Sequence, residues 1–211
     1  MEFIKKMREI VLDTETTGLD KNKNRIFEIG CVELFDGIPT GNTFQTYINP
    51  GQKLSEEAEK ICGIKDEFLY DKPIFSDIAY DLLDFIKDSN IIAHNAKFDQ
   101  GFLNMELDRI NYPTLQNTFV DVLLMARTVF PNKKNNLDSL CKRLQIDNSH
   151  RQYHGALLDA DLTSKVYYIL SHMCENNTLN IVTDIQDIDI TTFPIRHFPP
   201  SDEELQAHNQ I

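Results

Sequence analysis

Ile10-Val11-Leu12-Asp13-Thr14-Glu15-Thr16-Thr17-Gly18 carries the reading of this chain. Three consecutive apolar residues, two of them β-branched, predict a short buried strand. Asp13 and Glu15 fall at or just past its carboxyl end, and period-two alternation directs both carboxylates to one face. Thr16-Thr17-Gly18 is turn chemistry, with Gly18 free to take a positive φ or to admit close approach of a ligand to the backbone. In an open sheet, functional groups gather at the carboxyl ends of strands. Taken alone, two acids at a strand exit more often decorate a surface than perform chemistry.

The arrangement repeats twice further along. Asn90-Ile91-Ile92-Ala93 predicts a second buried strand, and His94-Asn95 its exit. Phe98, Phe102, Leu103, Leu107 and Ile110 form the apolar stripe of a following helix. Asp99 then lies in the first turn of that helix, where free backbone N–H groups satisfy a carboxylate, and Asn95 can serve as its cap. Capping explains both residues without any catalytic role. The third cluster follows the polar loop Asn148-Ser149-His150-Arg151-Gln152. Ala156 to Leu162 opens a helix continued by Val166, Tyr167, Ile169 and Leu170. Five residues turn a helix by about 140°, so His154 and Asp159 converge only if His154 sits before the helix begins. Asp161 suits the helix dipole, whereas Asp159 is flanked by Leu158 and Leu162, which implies a buried face.

Other segments complete an α/β pattern. Arg8 to Asp13, Arg25 to Phe35 and Thr43 to Ile48 predict strands, with Asp36-Gly37-Ile38-Pro39 and Gly41 marking the turn between the last two. Ile74 to Ile86 has helical apolar spacing, Thr118 to Asp121 predicts another strand followed by a helix, and Leu137 to Leu144 a further helix. The expectation is a mixed five-stranded sheet flanked by helices.

With Asp13 and Glu15, Asp99, and His154 and Asp159 in this order, the chain resembles the DEDDh exonucleases, a branch of the ribonuclease H-like superfamily named for four carboxylates and a histidine. Asp66-Glu67-Phe68-Leu69, Lys72-Pro73 with Phe75, and His154-Gly155-Ala156-Leu157-Leu158-Asp159-Ala160 extend the likeness to the proofreading members that serve replicative DNA polymerases. It covers roughly residues 8 to 172. The resemblance implies the three-layer ribonuclease H-like fold and 3′–5′ hydrolysis of a terminal phosphodiester with two divalent cations. Carboxylates without cysteine suit Mg²⁺ or Mn²⁺. By the family pattern Asp13 bridges both ions, Glu15 and Asp159 complete the site of the water-activating ion, Asp99 holds the other, and His154 is the general base. An imidazole of ordinary pKa about 6.5 suits that task. The family pattern maps contacts to the 3′ nucleotide onto Thr14, Glu15, Thr16 and Leu19, with Leu19 as an apolar wedge. Asn95 and Phe98 match pocket positions, although Phe98 serves equally as a core residue. One departure stands out: Cys62-Gly63-Ile64 replaces the usual His-Gly-Ile, which removes an imidazole from the nucleotide pocket.

Charge shapes the expected partners. The formal net charge of −12 opposes phosphate binding, because free nucleic-acid binders present a basic face. A polymerase catalytic subunit that delivers frayed DNA 3′ ends removes the difficulty. From residue 176 onward six acids and one base give −5, leaving −12 + 5 = −7 for residues 1 to 175. The division expected is an exonuclease domain over 1–175 and an acidic, proline-punctuated tail over 176–211 that attaches to the polymerase; Ser201 and Glu204 form a capping box within it. A sliding clamp is a further candidate partner. Four scattered cysteines suit a reducing compartment, residues 1–10 lack the apolar core of a signal peptide, and no stretch reaches the roughly 20 apolar residues of a membrane span. A cytoplasmic location is expected. A free-standing exonuclease acting on RNA or single-stranded DNA ends, and a non-catalytic adaptor retaining the fold, are the alternatives.

Overall fold

The structure, a computed structural model, describes residues 7–178. Five strands form one sheet in the order β3-β2-β1-β4-β5: β1 (Arg8–Thr16), β2 (Ile26–Phe35), β3 (Ile38–Tyr47), β4 (Asn90–Ala93) and β5 (Phe119–Asp121). The first three are antiparallel, and β4 and β5 run parallel to β1 and to each other. The central position of β1 explains its apolar run, since Ile10, Val11 and Leu12 are wholly buried between two helical layers.

Alternation along β1 divides those layers. Ile10 and Leu12 pack with α3 (Phe75–Ile86) and α4 (Ala96–Arg109). Val11 faces the opposite side, where α5 (Val122–Val129), α6 (Leu137–Arg143) and α7 (Ala156–Thr178) pack with Val32 and Leu34 of β2. The mixed sheet flanked by helices is therefore as the sequence predicts. Two short helices between β3 and α3, α1 (Glu56–Cys62) and α2 (Asp66–Leu69), close the end of the sheet over Phe27. The periodicity of the sequence gives no signal for them, because elements of seven and four residues are too short to show a helical stripe.

Three boundaries differ from the sequence reading. β1 runs on to Thr16, so Asp13 and Glu15 belong to the strand and do not follow it. β3 begins at Ile38, where five residues of turn were expected, because Asp36 (φ 52°) and Gly37 (φ 76°) alone reverse the chain. Two positive φ angles are what a tight hairpin demands, and Asp-Gly supplies them. α7 runs on to Thr178, past Leu170, the last residue of the predicted apolar stripe. The remaining tail features, Ser201 and Glu204 among them, lie outside the described residues.

A buried ion network ties the layers together at the end of β1. Glu106 of α4 is 1% exposed and takes both arms of Arg25 at 2.7 Å and Arg109 at 2.9 Å. A buried carboxylate with two guanidinium partners is satisfied, and removing either partner leaves an uncompensated charge. The network fixes the amino end of β2 against the helix that carries Asp99.

Candidate active site

Asp13 and Glu15 face the α7 side of the sheet, as the alternation of β1 predicts. Their cross-strand partners on β2 are Gly30 and Glu28. Gly30 is a space reserved for α7: a Cβ there would lie 2.2 Å from the backbone nitrogen of Leu157 and 2.3 Å from the carbonyl carbon of Ala156. The amino end of α7 thus rests directly on the sheet backbone opposite Asp13. Asp159, in the first turn of α7 and 4% exposed, is delivered beside the two β1 acids. A glycine inside a strand signals such an approach, yet nothing local to Gly30 reveals that α7 is what approaches.

Asp99 arrives from the other side. It lies in the first turn of α4, 2% exposed, and accepts the Thr14 hydroxyl at 2.8 Å. Thr14 therefore spends its side chain on Asp99, and any nucleotide contact from it falls to its backbone. Asn95 occupies the cap position of α4, as expected, but its side chain makes no capping bond. It adopts the left-handed conformation at φ 70°, which Asn tolerates better than most residues, and it is exposed.

His154 precedes α7 on the loop, the arrangement required for it to meet Asp159. Its backbone N–H donates to Ile61 O of α1 at 3.0 Å, and its Nδ1 lies 3.3 Å from Asp159 Oδ2. Ligand atoms of Glu15, His154 and Asp159 all come within 4.8 Å of one another. Arg151, unassigned by the sequence reading, grips Asp159 with Nε at 2.5 Å and Nη2 at 2.6 Å. Only its place three residues before His154 in a polar loop hints at this.

The electrostatics follow from these partners. Burial, then the charges of Asp99, Asp159, Glu15 and Glu28, push the Asp13 carboxyl well above the ordinary carboxylate range. Burial and the facing Glu28 do the same to Glu15, with Arg151 opposing. Asp99 is raised to about 7 by burial, moderated by the Thr14 hydroxyl and backbone N–H groups. Asp159 alone is lowered: burial opposes ionisation, but the Arg151 and His154 hydrogen bonds prevail. Buried carboxylates that cannot ionise together need additional positive charge. An all-oxygen set with one imidazole, crowded on both sides of Asp13, fits hard divalent cations.

The remaining candidates are less central. Thr16 turns its hydroxyl to Gly18 O at 2.8 Å. Gly18 has no positive φ; a side chain there would meet the Asn24 amide at 2.8 to 2.9 Å, so its need is space within the loop. Leu19 is 81% exposed, accessible for the wedge role. Phe98 is half-buried and stacks at 4.8 Å, tilted, on Phe102, within the core it shares with α3 and α4. Cys62 is buried, donates its S–H to Ala58 O at 2.9 Å and has its thiol pushed up to about 12 by burial. It fills the core and offers no replacement for an imidazole.

A mixed sheet whose central strand carries two acids, with one further acid in the first turn of a helix on either face, is the arrangement of a nuclease of the ribonuclease H-like kind, and residues 10–167 match the family described as Exonuclease, to which the chain belongs. Over 224 residues it is 46% identical to the DNA polymerase III subunit epsilon of Rickettsia conorii (strain ATCC VR-613 / Malish 7), covering 97% of this chain and 95% of the relative. The subunit of the same description from Buchnera aphidicola subsp. Acyrthosiphon pisum (strain APS) is 41% identical, covering 96% and 92%. Among solved structures, Exonuclease X in complex with 5′ overhanging duplex DNA aligns with a TM-score of 0.62 at 24% identity, covering 80% of this chain and 93% of that one. The nuclease domain of 3′hExo, a DEDDh family member bound to rAMP, gives 0.67 at 15%, covering 82% and 94%. These two share the fold.

Proposed function

We infer that this chain is a 3′–5′ exodeoxyribonuclease that proofreads for a replicative DNA polymerase, releasing 5′-mononucleotides. The observation that carries the reading is the convergence of Asp13, Glu15, Asp99, Asp159 and His154 from β1, α4, α7 and the loop before α7 on one acid-rich site. Two divalent cations, Mg²⁺ or Mn²⁺, supply an activated water and neutralise charge at the scissile phosphate when bound. Glu15 and Asp159 would hold one ion and Asp99 the other, with Asp13 contributing to both. His154, tethered at its backbone to Ile61 and with its side chain 42% exposed, takes the proton of the attacking water. Thr14 keeps Asp99 aimed into the site. Leu19 and Asn95, both exposed, receive a 3′-terminal nucleotide together with Thr16 and Phe98.

The acidic tail, residues 176–211, attaches the enzyme to the polymerase catalytic subunit, which compensates for the weak intrinsic affinity of an acidic protein for DNA. A sliding clamp is a second partner compatible with this arrangement, and the cytoplasm is the expected location. Among the described residues no helix is long and apolar enough to cross a membrane.

Digestion of 5′-labelled single-stranded DNA, matched and 3′-mismatched primer–templates and single-stranded RNA, with Mg²⁺ or EDTA, tests the reading. A metal-dependent ladder shortening from the 3′ end, faster on DNA and on mismatched termini, is the expected result. Preference for RNA would instead assign a free-standing exonuclease, and complete inactivity an adaptor. Removal of residues 176–211 should spare single-strand hydrolysis and abolish co-purification with the polymerase subunit.

A further inference from the structure

Arg151 holds no role in the chemistry above, yet its guanidinium lies inside the site, with the side chain only 6% exposed. Nε and Nη2 occupy both oxygens of Asp159 at 2.5 and 2.6 Å, Nη2 also lies 2.8 Å from His154 Nδ1, and Nη1 reaches Asp138 at 2.6 Å. Among the described residues it is the one cationic side chain hydrogen-bonded to the site carboxylates.

We propose that Arg151 is a positioning latch that stands in for a divalent ion. In the metal-free chain its guanidinium holds the Glu15–His154–Asp159 position, and an entering ion displaces it from Asp159 and His154 while Asp138 retains it. The proposal rests on the two-metal reading above.

Hydrogen-bond chemistry gives the latch a second consequence. His154 Nδ1 lies 2.8 Å from Arg151 Nη2 and 3.3 Å from Asp159 Oδ2. His154 is therefore held for as long as Arg151 stays on Asp159, and the displacement that admits the ion also frees it. Asp138 suits the retaining role. It sits in the first turn of α6 with its side chain 54% exposed, so a guanidinium that pivots about it moves toward solvent and keeps a counter-charge. The planar fork that satisfies Asp159 in both oxygens is a property of Arg that Lys lacks.

Titration calorimetry of Mn²⁺ into the full chain, with unfolding followed in EDTA and in saturating Mn²⁺, tests this on wild type, Arg151→Ala and Arg151→Lys. The alanine variant should bind the ion about tenfold more tightly, unfold at lower temperature in EDTA and match wild type in saturating Mn²⁺. The lysine variant keeps the charge and loses the fork, and should bind with an affinity between the other two; it carries the test if the alanine variant does not fold. Equal or weaker binding by the variants, or equal losses of stability in EDTA and Mn²⁺, would overturn the latch. Lysine behaving as wild type would overturn it also, since a bare charge would then suffice. Wild type that binds no ion overturns the two-metal reading itself, and the latch with it.

Discussion

Asp99 and Asp159 are both almost fully buried, and both lie in the first turn of a helix that packs on the sheet. Their carboxyls nevertheless move in opposite directions. Asp99, satisfied by the neutral Thr14 hydroxyl and backbone N–H groups, is raised to about 7, while Asp159, held by Arg151, is lowered. Burial and helix position are matched, so the charge of the partner decides the outcome. One half of the site is thus prepared to receive positive charge, and the other already contains it.

The most severe disruption of this contrast is removal of the acid between the two. Asp13→Ala should reduce hydrolysis at least about 10³-fold without lowering the unfolding temperature in EDTA, because a buried like charge is relieved; retained activity would refute the assignment. His154→Gln should cost about 100-fold or more in kcat while calorimetric Mn²⁺ binding persists, and intact turnover would remove the base from the mechanism. Gly30→Ala acts on the Asp159 half alone. Its Cβ meets the α7 backbone, so a loss of about 3 kcal/mol in denaturant unfolding is expected; an unchanged midpoint would show that α7 can lift from the sheet.

A pH series separates the halves without mutation. Asp99, raised to about 7, contributes stability that is present below the unfolded pKa of about 4 and lost as pH rises through that folded value, and the raised Asp13 and Glu15 act in the same direction. Asp159 contributes stability present above about 4 and lost only below it. Between pH 7.5 and 5.5 the metal-free protein should therefore gain roughly 5 °C in unfolding temperature. In saturating Mg²⁺ the trend should reverse, since bound ions require ionised ligands. The smallest change is Thr14→Val, which removes one hydroxyl donor from Asp99 at about 1 kcal/mol and should weaken the ion that Asp99 holds more than the one that Asp159 holds.

Much of this was legible in the amino-acid order. The three acid clusters, the buried strands behind two of them, and the requirement that His154 precede its helix all follow from local periodicity. What escaped detection depends on distant partners. Gly30 is meaningful only because α7, more than 120 residues later, lies against it. Arg151 reads as a loop residue until folding places Asp138 and Asp159 on either side of its guanidinium. The turn at Asp36-Gly37 reads in the sequence as longer than it is because Pro39 and Gly41 resemble turn residues, although an edge strand tolerates both.

The contact between α7 and β2 is backbone on backbone, with no side chain between them at Gly30. Side chains can repack gradually as temperature rises, whereas two main chains in contact have nothing to rearrange. The spacing of Asp13 and Asp159 is consequently a hard stop, and heat inactivation at saturating metal should coincide with global melting, with no warm, folded and idle form preceding it.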